Sequence, residues 1–222
     1  MKKFYAIAFA MLFGASLSAS AQKSVYFSTS ADLDFSKVKE TTTTISMSRV
    51  LYAGYNTICL PFSVSCDELQ QLVGEEVMLE KLAAVNGYNL SFIDVTKDGI
   101  EAGMPYLIYS PKTKSVSFKT QDMALLTQPK ALTVGGVTMQ GLFNTKQEVG
   151  LYGIPAKQDV EILESVLVRT EGDKTFLPTR CGFTWDTQAA SASSLVIKHV
   201  TSLQGIETSI EKLQAADASV DV

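Results

Sequence analysis

Histidine, tryptophan and cysteine are scarce in this chain of 222 residues, with one, one and three copies. A single histidine, His199, leaves little room for a transition-metal site, which needs clustered His and Cys ligands at short spacing. It also leaves one candidate base for any serine or cysteine nucleophile. There is no G-x-S-x-G elbow, and neither a phosphate loop nor a G-x-G-x-x-G run. The three cysteines, Cys59, Cys66 and Cys181, are an odd number, so at least one thiol stays unpaired within a monomer. Any two of them can be disulfide participants, and spacing does not choose the pair. The chain is long enough to bury a core without bridges.

Past the first residues no apolar run approaches a membrane span. The start itself reads as a leader over residues 1–21. Lys2 and Lys3 form a positive region, Tyr5 to Phe13 a short apolar one, and Ala19-Ser20-Ala21 a cleavage site ahead of Gln22. The expected mature chain is exported, soluble and without a transmembrane segment. It is periplasmic, on the cell surface or extracellular. Of 19 basic residues, the two lysines leave with the leader; 17 then face 23 acidic ones, a net charge of −6. That balance argues against a nucleic-acid partner, whose backbone rewards a basic surface.

What the chain does have is short β-type runs punctuated by turn residues. Thr43 to Val50 is rich in β-branched residues. Ile58, Leu60, Phe62 and Val64 alternate with smaller residues, which puts them on one strand face and Cys59 on the other. Pro61 cannot donate to a ladder, so this strand is expected at an edge or a bulge. Ser65-Cys66-Asp67-Glu68 reads as a capping box, with Val64 and Leu69 as its hydrophobic staple and Gly74 as its stop. A helix over Cys66–Val73 follows. Asn86-Gly87 predicts a type I′ hairpin, and Pro111-Lys112-Thr113 a second hairpin between Met104–Tyr109 and Val116–Lys119. Ala131 to Phe143, interrupted by Gly135-Gly136, is two short strands or one bulged strand. Further strands are expected at Val149–Ile154, Ile162–Arg169, Thr175–Leu177, Gly182–Thr187 and Ser194–His199, with a turn at Glu171 to Lys174. Many short strands and one helix predict a mainly β fold, an antiparallel sandwich over 22–204. Two packed halves would meet near Thr127-Gln128-Pro129, and residues 205–222 read as a flexible tail.

Several of these stretches resemble a β-rich module of secreted and surface proteins of the Bacteroidota. The likeness runs through Ser48 to Gly54, peaks at Tyr55-Asn56-Thr57-Ile58-Cys59-Leu60-Pro61-Phe62, and continues at Ile100 to Ile108. The module typically reads W-N-T-L-C-L-P-F followed by A-G-x-P-Y-L; Tyr55 stands where tryptophan is usual. The resemblance implies a β-rich exported protein and brings no activity with it. In related proteins a Gly-Ile linker, here Gly205-Ile206, often precedes a C-terminal sorting tail; no such signature follows it here.

The chemical candidates are few. Cys66 at a helix start could pair with His199, though a lone strand histidine is more commonly structural. Asp94, Asp98 and Glu101 surround a turn, without the spacing of a calcium loop. Tyr55 and Trp185 are candidate ligand-facing aromatics, since flat rings stack on sugars. No catalytic residue, metal ligand or cofactor is assigned. The expected role is a non-enzymatic structural or interaction module with an extracellular glycan or protein partner. A carbohydrate-binding or adhesion protein is the alternative. A hydrolase using loop carboxylates ranks below both.

Overall fold

The computed structural model describes residues 23–122, 124–155, 166–172, 174–186 and 192–200. The leader, residues 205–222, Asp173, Thr187 and the first part of the strand expected at Ile162–Arg169 lie outside these. Over these residues the fold is mainly β with one α-helix, as the sequence predicts. In chain order come β1 (Lys23–Phe27), β2 (Thr42–Leu51), β3 (Gly54–Ile58), α1 (Cys66–Val73), β4 (Met78–Asn86), β5 (Asn89–Asp94), β6 (Tyr106–Ser110) and β7 (Lys114–Thr120). They are followed by β8 (Ala131–Val134), β9 (Val137–Gly141), β10 (Tyr152–Gly153), β11 (Val166–Arg169), β12 (Cys181–Trp185) and β13 (Ser194–Val200). A three-stranded sheet has the order β1-β2-β7, and a ten-stranded sheet the order β3-β6-β4-β5-β13-β11-β10-β12-β9-β8. Most pairs are antiparallel; β1 with β2 and β5 with β13 are parallel, so both sheets are mixed.

The two sheets share one ribbon. The β2–β7 pairing runs from Ile45↔Thr120 to Leu51↔Lys114, and the β3–β6 pairing takes over at Gly54↔Ser110 and ends at Ile58↔Tyr106. The same two chain segments therefore lie side by side throughout and bend at Tyr52-Ala53 and Pro111 to Thr113. Asn56 holds the bend: its Oδ1 accepts from Tyr52 N at 3.0 Å, and its Nδ2 donates to Tyr52 O at 2.8 Å and Gly54 O at 3.0 Å. Strands that switch sheets at such corners are a familiar way to close a sandwich. This corrects the hairpin expected around Pro111. β6 and β7 do not pair with each other, because each already has a long partner in the β2–β3 segment.

The helix forms as its sequence dictates. Ser65 Oγ accepts from Glu68 N at 3.3 Å, and Glu68 Oε2 accepts from Ser65 N at 2.9 Å. Val64 and Leu69 are both buried, and Gly74, at φ +132°, ends the helix. The strand before it stops at Ile58, so Leu60 to Ser63 is irregular chain rather than ladder, and Val64 makes an isolated antiparallel bridge with Ile100. Ile58, Leu60, Phe62 and Val64 all reach the core, but Cys59 on the opposite side is equally buried at 0 % exposure. The reason is that this segment is covered on both sides. β9 approaches so closely that a Cβ at Gly141 would collide with Cys59 Sγ. As expected, β3 is an edge strand of the large sheet.

Both glycine turns form, with one change of type. Val134↔Val137 enclose Gly135 and Gly136 at φ +53° and +78°, the positive pair of a type I′ turn, so Ala131 to Phe143 holds two strands. In β4–β5 the closing pair is Asn86↔Asn89, so the loop is Gly87-Tyr88 and only Gly87 has positive φ, at +52°. That is the type II′ pattern, one residue along from the type I′ turn that Asn86-Gly87 predicts.

A single apolar core contains residues of both sheets and of α1, from Ile45, Met47 and Phe118 to Phe92, Phe183 and Leu195. Each such side chain contributes about 2 kcal/mol by leaving water. Strands from both sides of Thr127-Gln128-Pro129 share the ten-stranded sheet, joined where β5 pairs with β13.

Candidate functional site

The register of the large sheet places Glu80 and Leu82 of β4, Phe92 and Asp94 of β5, and Ile197 and His199 of β13 on one face. That face is concave. Phe92 meets Phe183 of β12 edge-on, with ring centroids 6.2 Å apart, and the β8–β9 turn returns to Val85 at the end of β4. The apolar members fill the interior. Glu80 and His199 gather near one end of it.

Glu80 is 3 % exposed, and a carboxylate so deeply buried is costly unless its oxygens are engaged. Both are. His199 Nδ1 lies 2.7 Å from Oε2, and the Tyr55 hydroxyl donates to Oε1 at 3.3 Å. The Tyr55 ring stacks on the His199 ring at 4.1 Å with a 12° interplanar angle, and Tyr109 closes on Tyr55 at 5.3 Å. Burial, followed by the Glu80 carboxylate, pushes the Tyr55 phenol well above its ordinary range, so it remains a donor. The cluster joins strands β3, β6, β4 and β13. Among the described residues the His199 imidazole has no hydrogen-bond partner besides Glu80. A buried acid, an imidazole and a phenol are thus assembled without a bonded nucleophile.

The other sequence candidates fall elsewhere. Trp185 is half-buried against Tyr88 of the β4–β5 turn, rings perpendicular at 5.7 Å, so Tyr55 and Trp185 belong to different clusters. All three cysteines are free thiols. Cys59 donates to Gly103 O at 3.1 Å and Cys181 to Ile58 O at 3.3 Å, both inside the core. Burial pushes the Cys59 thiol far up and the Cys181 thiol up to about 12, which removes both as thiolate nucleophiles. Cys66 is half-buried at the start of α1, whereas His199 is engaged by Glu80 and Tyr55. Asp94 accepts from Thr96 N and Oγ1, at 2.8 and 2.6 Å, and Glu101 pairs with Lys130. These two carboxylates serve a turn and a surface bridge, and no metal-binding group of three occurs among the described residues.

Two buried charges escaped the sequence reading, although the pattern carries them. Arg49 follows Ile45 and Met47 and precedes Leu51 at a spacing of two, so it points where they point. Glu80 holds the same kind of position between Met78 and Leu82. No helix among the described residues is long and apolar enough to cross a membrane. No family model matches this chain, and no curated protein or solved structure matches it either.

Proposed function

We propose that the protein is an exported, non-enzymatic interaction module of the cell surface or periplasm, related to the Bacteroidota module that its Tyr55–Phe62 stretch resembles. The observation that carries this reading is the outer face of the small sheet. Ile45, Met47, Val116 and Phe118 face the core, so Ser46, Ser48, Ser115 and Ser117 face out, with Tyr26 and Val50 beside them. Tyr26 is 56 % exposed, Val50 40 % and Tyr52, at the ribbon's bend, 44 %. β1 is an edge strand. A hydroxyl-rich surface with exposed tyrosines suits a partner laid across it better than a substrate enclosed by it. The engaged state of His199 and the buried thiols support the non-enzymatic part.

The carbohydrate-binding form of this reading draws on the same face, since tyrosine rings stack on sugar faces and serine hydroxyls match sugar hydroxyls. A loop-carboxylate hydrolase ranks behind, because Glu80 and Asp94, paired across β4 and β5, already have partners. The test has two arms. Cell fractionation should recover a shortened chain outside the cytoplasm; an uncleaved cytoplasmic chain overturns export. A glycan array should bind the protein and lose Tyr26→Ser/Tyr52→Ser. A blank array removes the carbohydrate form and leaves a protein partner.

A further inference from the structure

The inner face of β2 carries a cation where the pattern calls for a hydrocarbon. Arg49 is 6 % exposed and sits opposite Val116. Its one bond is from Nη1 to Thr179 O, at 2.6 Å, and its Nε is buried with no partner. A second guanidinium, Arg180, lies close enough to repel it and also has a buried unpartnered nitrogen, Nη1. Neither arginine forms an ion pair among the described residues. Two like charges near one another, Arg49 buried and Arg180 half-buried, with no acid paired to either, form a costly arrangement, since a buried charge without its counter-charge is strongly destabilising.

Between them lies Thr179, fully buried, whose φ of +64° is unusual for a β-branched residue. The main chain enforces it. Thr179 N donates to Leu142 O at 2.7 Å, and Thr179 O accepts from Cys59 N at 3.1 Å as well as from Arg49. Arg180 O accepts from Leu142 N at 2.9 Å. The backbone is thus satisfied on both sides, while the Thr179 hydroxyl is buried and unpaired. Strain held by the surroundings beside unpaired donors points toward a functional position. Arg180 is only half-buried, which places this side of the pair toward solvent.

From these unpaired donors we infer that Arg49, Arg180 and Thr179 form a binding site for a small oxyanion: the carboxylate, sulfate or phosphate group of a ligand. Guanidinium planes match such groups with paired N–H bonds, and the threonine hydroxyl adds a third donor. The site is separate from the Glu80–His199 cluster and from the outer face of the small sheet.

Thermal unfolding of the purified protein in sulfate, phosphate, acetate and glucuronate, against chloride at constant ionic strength, tests it. At least one anion should raise Tm saturably, by about 5–10 °C at a hundredfold excess over Kd. Sulfate or phosphate alone identifies an inorganic group. Glucuronate above acetate identifies the acid of a sugar. Arg180→Gln should abolish the saturable rise, and Arg49→Met should abolish it while raising Tm in chloride. Should either variant not fold, calorimetric titration of the unaltered protein decides, with one site per chain expected. A shift that never saturates, or one equal in Arg180→Gln, is a general salt effect and overturns the site, as does a flat response to all four anions.

Discussion

His199 Nδ1 reaches Glu80 Oε2 at 2.7 Å across an intervening strand, for β13 and β4 are both neighbours of β5 and not of each other. The bond ties the last strand of the described chain to its first half, beside the parallel β5–β13 ladder. Parallel pairs need such support, since they are slightly weaker per residue than antiparallel ones. The Glu80 side chain is 4 % exposed and that of His199 31 %, so the acid bears most of the burial cost.

Removing the histidine should therefore do more than remove a contact. His199→Ala leaves Glu80 Oε2 buried without its donor, at an expected cost of about 2–3 kcal/mol, somewhat under a fully buried pair. Glu80→Gln keeps the shape and one acceptor and should cost about 1 kcal/mol. Urea denaturation midpoints check both. Equal costs for the two substitutions would show that the pair is held by packing alone.

The buried thiols predict a pH dependence. Cys59 and Cys181 have an ordinary pKa of 9.0, raised in the folded protein mainly by burial, for Cys181 to about 12. The folded state keeps protons that the unfolded chain releases. Their stabilising contribution is complete below pH 9 and is lost as pH rises from about 9 toward 12. Each thiol adds at most about 1.4 kcal/mol per pH unit to that decline. Unfolding free energies between pH 8 and 10.5 should fall less steeply in Cys181→Ala than in the unaltered protein. In native protein at pH 8, a thiol reagent should find Cys66 quickly and the other two only after denaturation.

The approach of β9 to Cys59 predicts a coupled pair. A Cβ at Gly141 meets Cys59 Sγ and comes within 3.2 Å of Pro129. Gly141→Ala should cost about 1–3 kcal/mol by overpacking. Adding Cys59→Ala, which withdraws the sulfur, should recover part of that cost. A double-mutant cycle measures the recovery; strictly additive losses would place the strain at Cys59 Cβ and Pro129, which the second substitution leaves in place.

How much of this was legible in advance depends on whether a feature is local. The capping box of α1 lies within four residues, and the structure reproduces it to the hydrogen bond. Gly135-Gly136 likewise specifies its own turn. The type II′ loop at Gly87-Tyr88 shows the limit, because one residue of register is settled by which cross-strand pairs bury Leu82 and Leu90, not by the dipeptide. The β6–β7 hairpin fails for a longer-range reason: Pro111 to Thr113 is a good turn, but the neighbours it brings round belong to β2 and β3. The spacing of two marks Arg49 and Glu80 as core-facing, but their partners, Thr179 for the one and Tyr55 and His199 for the other, lie far away in sequence and show only once the strands are adjacent. Alternation puts Cys59 on the face opposite Ile58, Leu60 and Phe62, and it says which residues share a face but not whether the second face is covered.

The bend of the shared ribbon gives the most discriminating test of the architecture. Asn56, 7 % exposed, uses its amide oxygen and both N–H bonds on Tyr52 and Gly54, three bonds that no other side chain supplies at that corner. Asn56→Ala should leave Tyr52 N, Tyr52 O and Gly54 O without these partners and cost about 2–3 kcal/mol. Asn56→Asp retains the acceptor for Tyr52 N but turns a carboxylate oxygen toward two carbonyls, so it should cost as much or more despite its shape. Because the corner is where the small sheet joins the large one, the loss should be local first. Hydrogen exchange should accelerate in the β2 and β7 amides beside the bend, with β5 and β13 amides unchanged. Uniform acceleration across both sheets would mean that the ribbon unfolds only with the whole molecule, and that Asn56 contributes to global stability rather than to the corner.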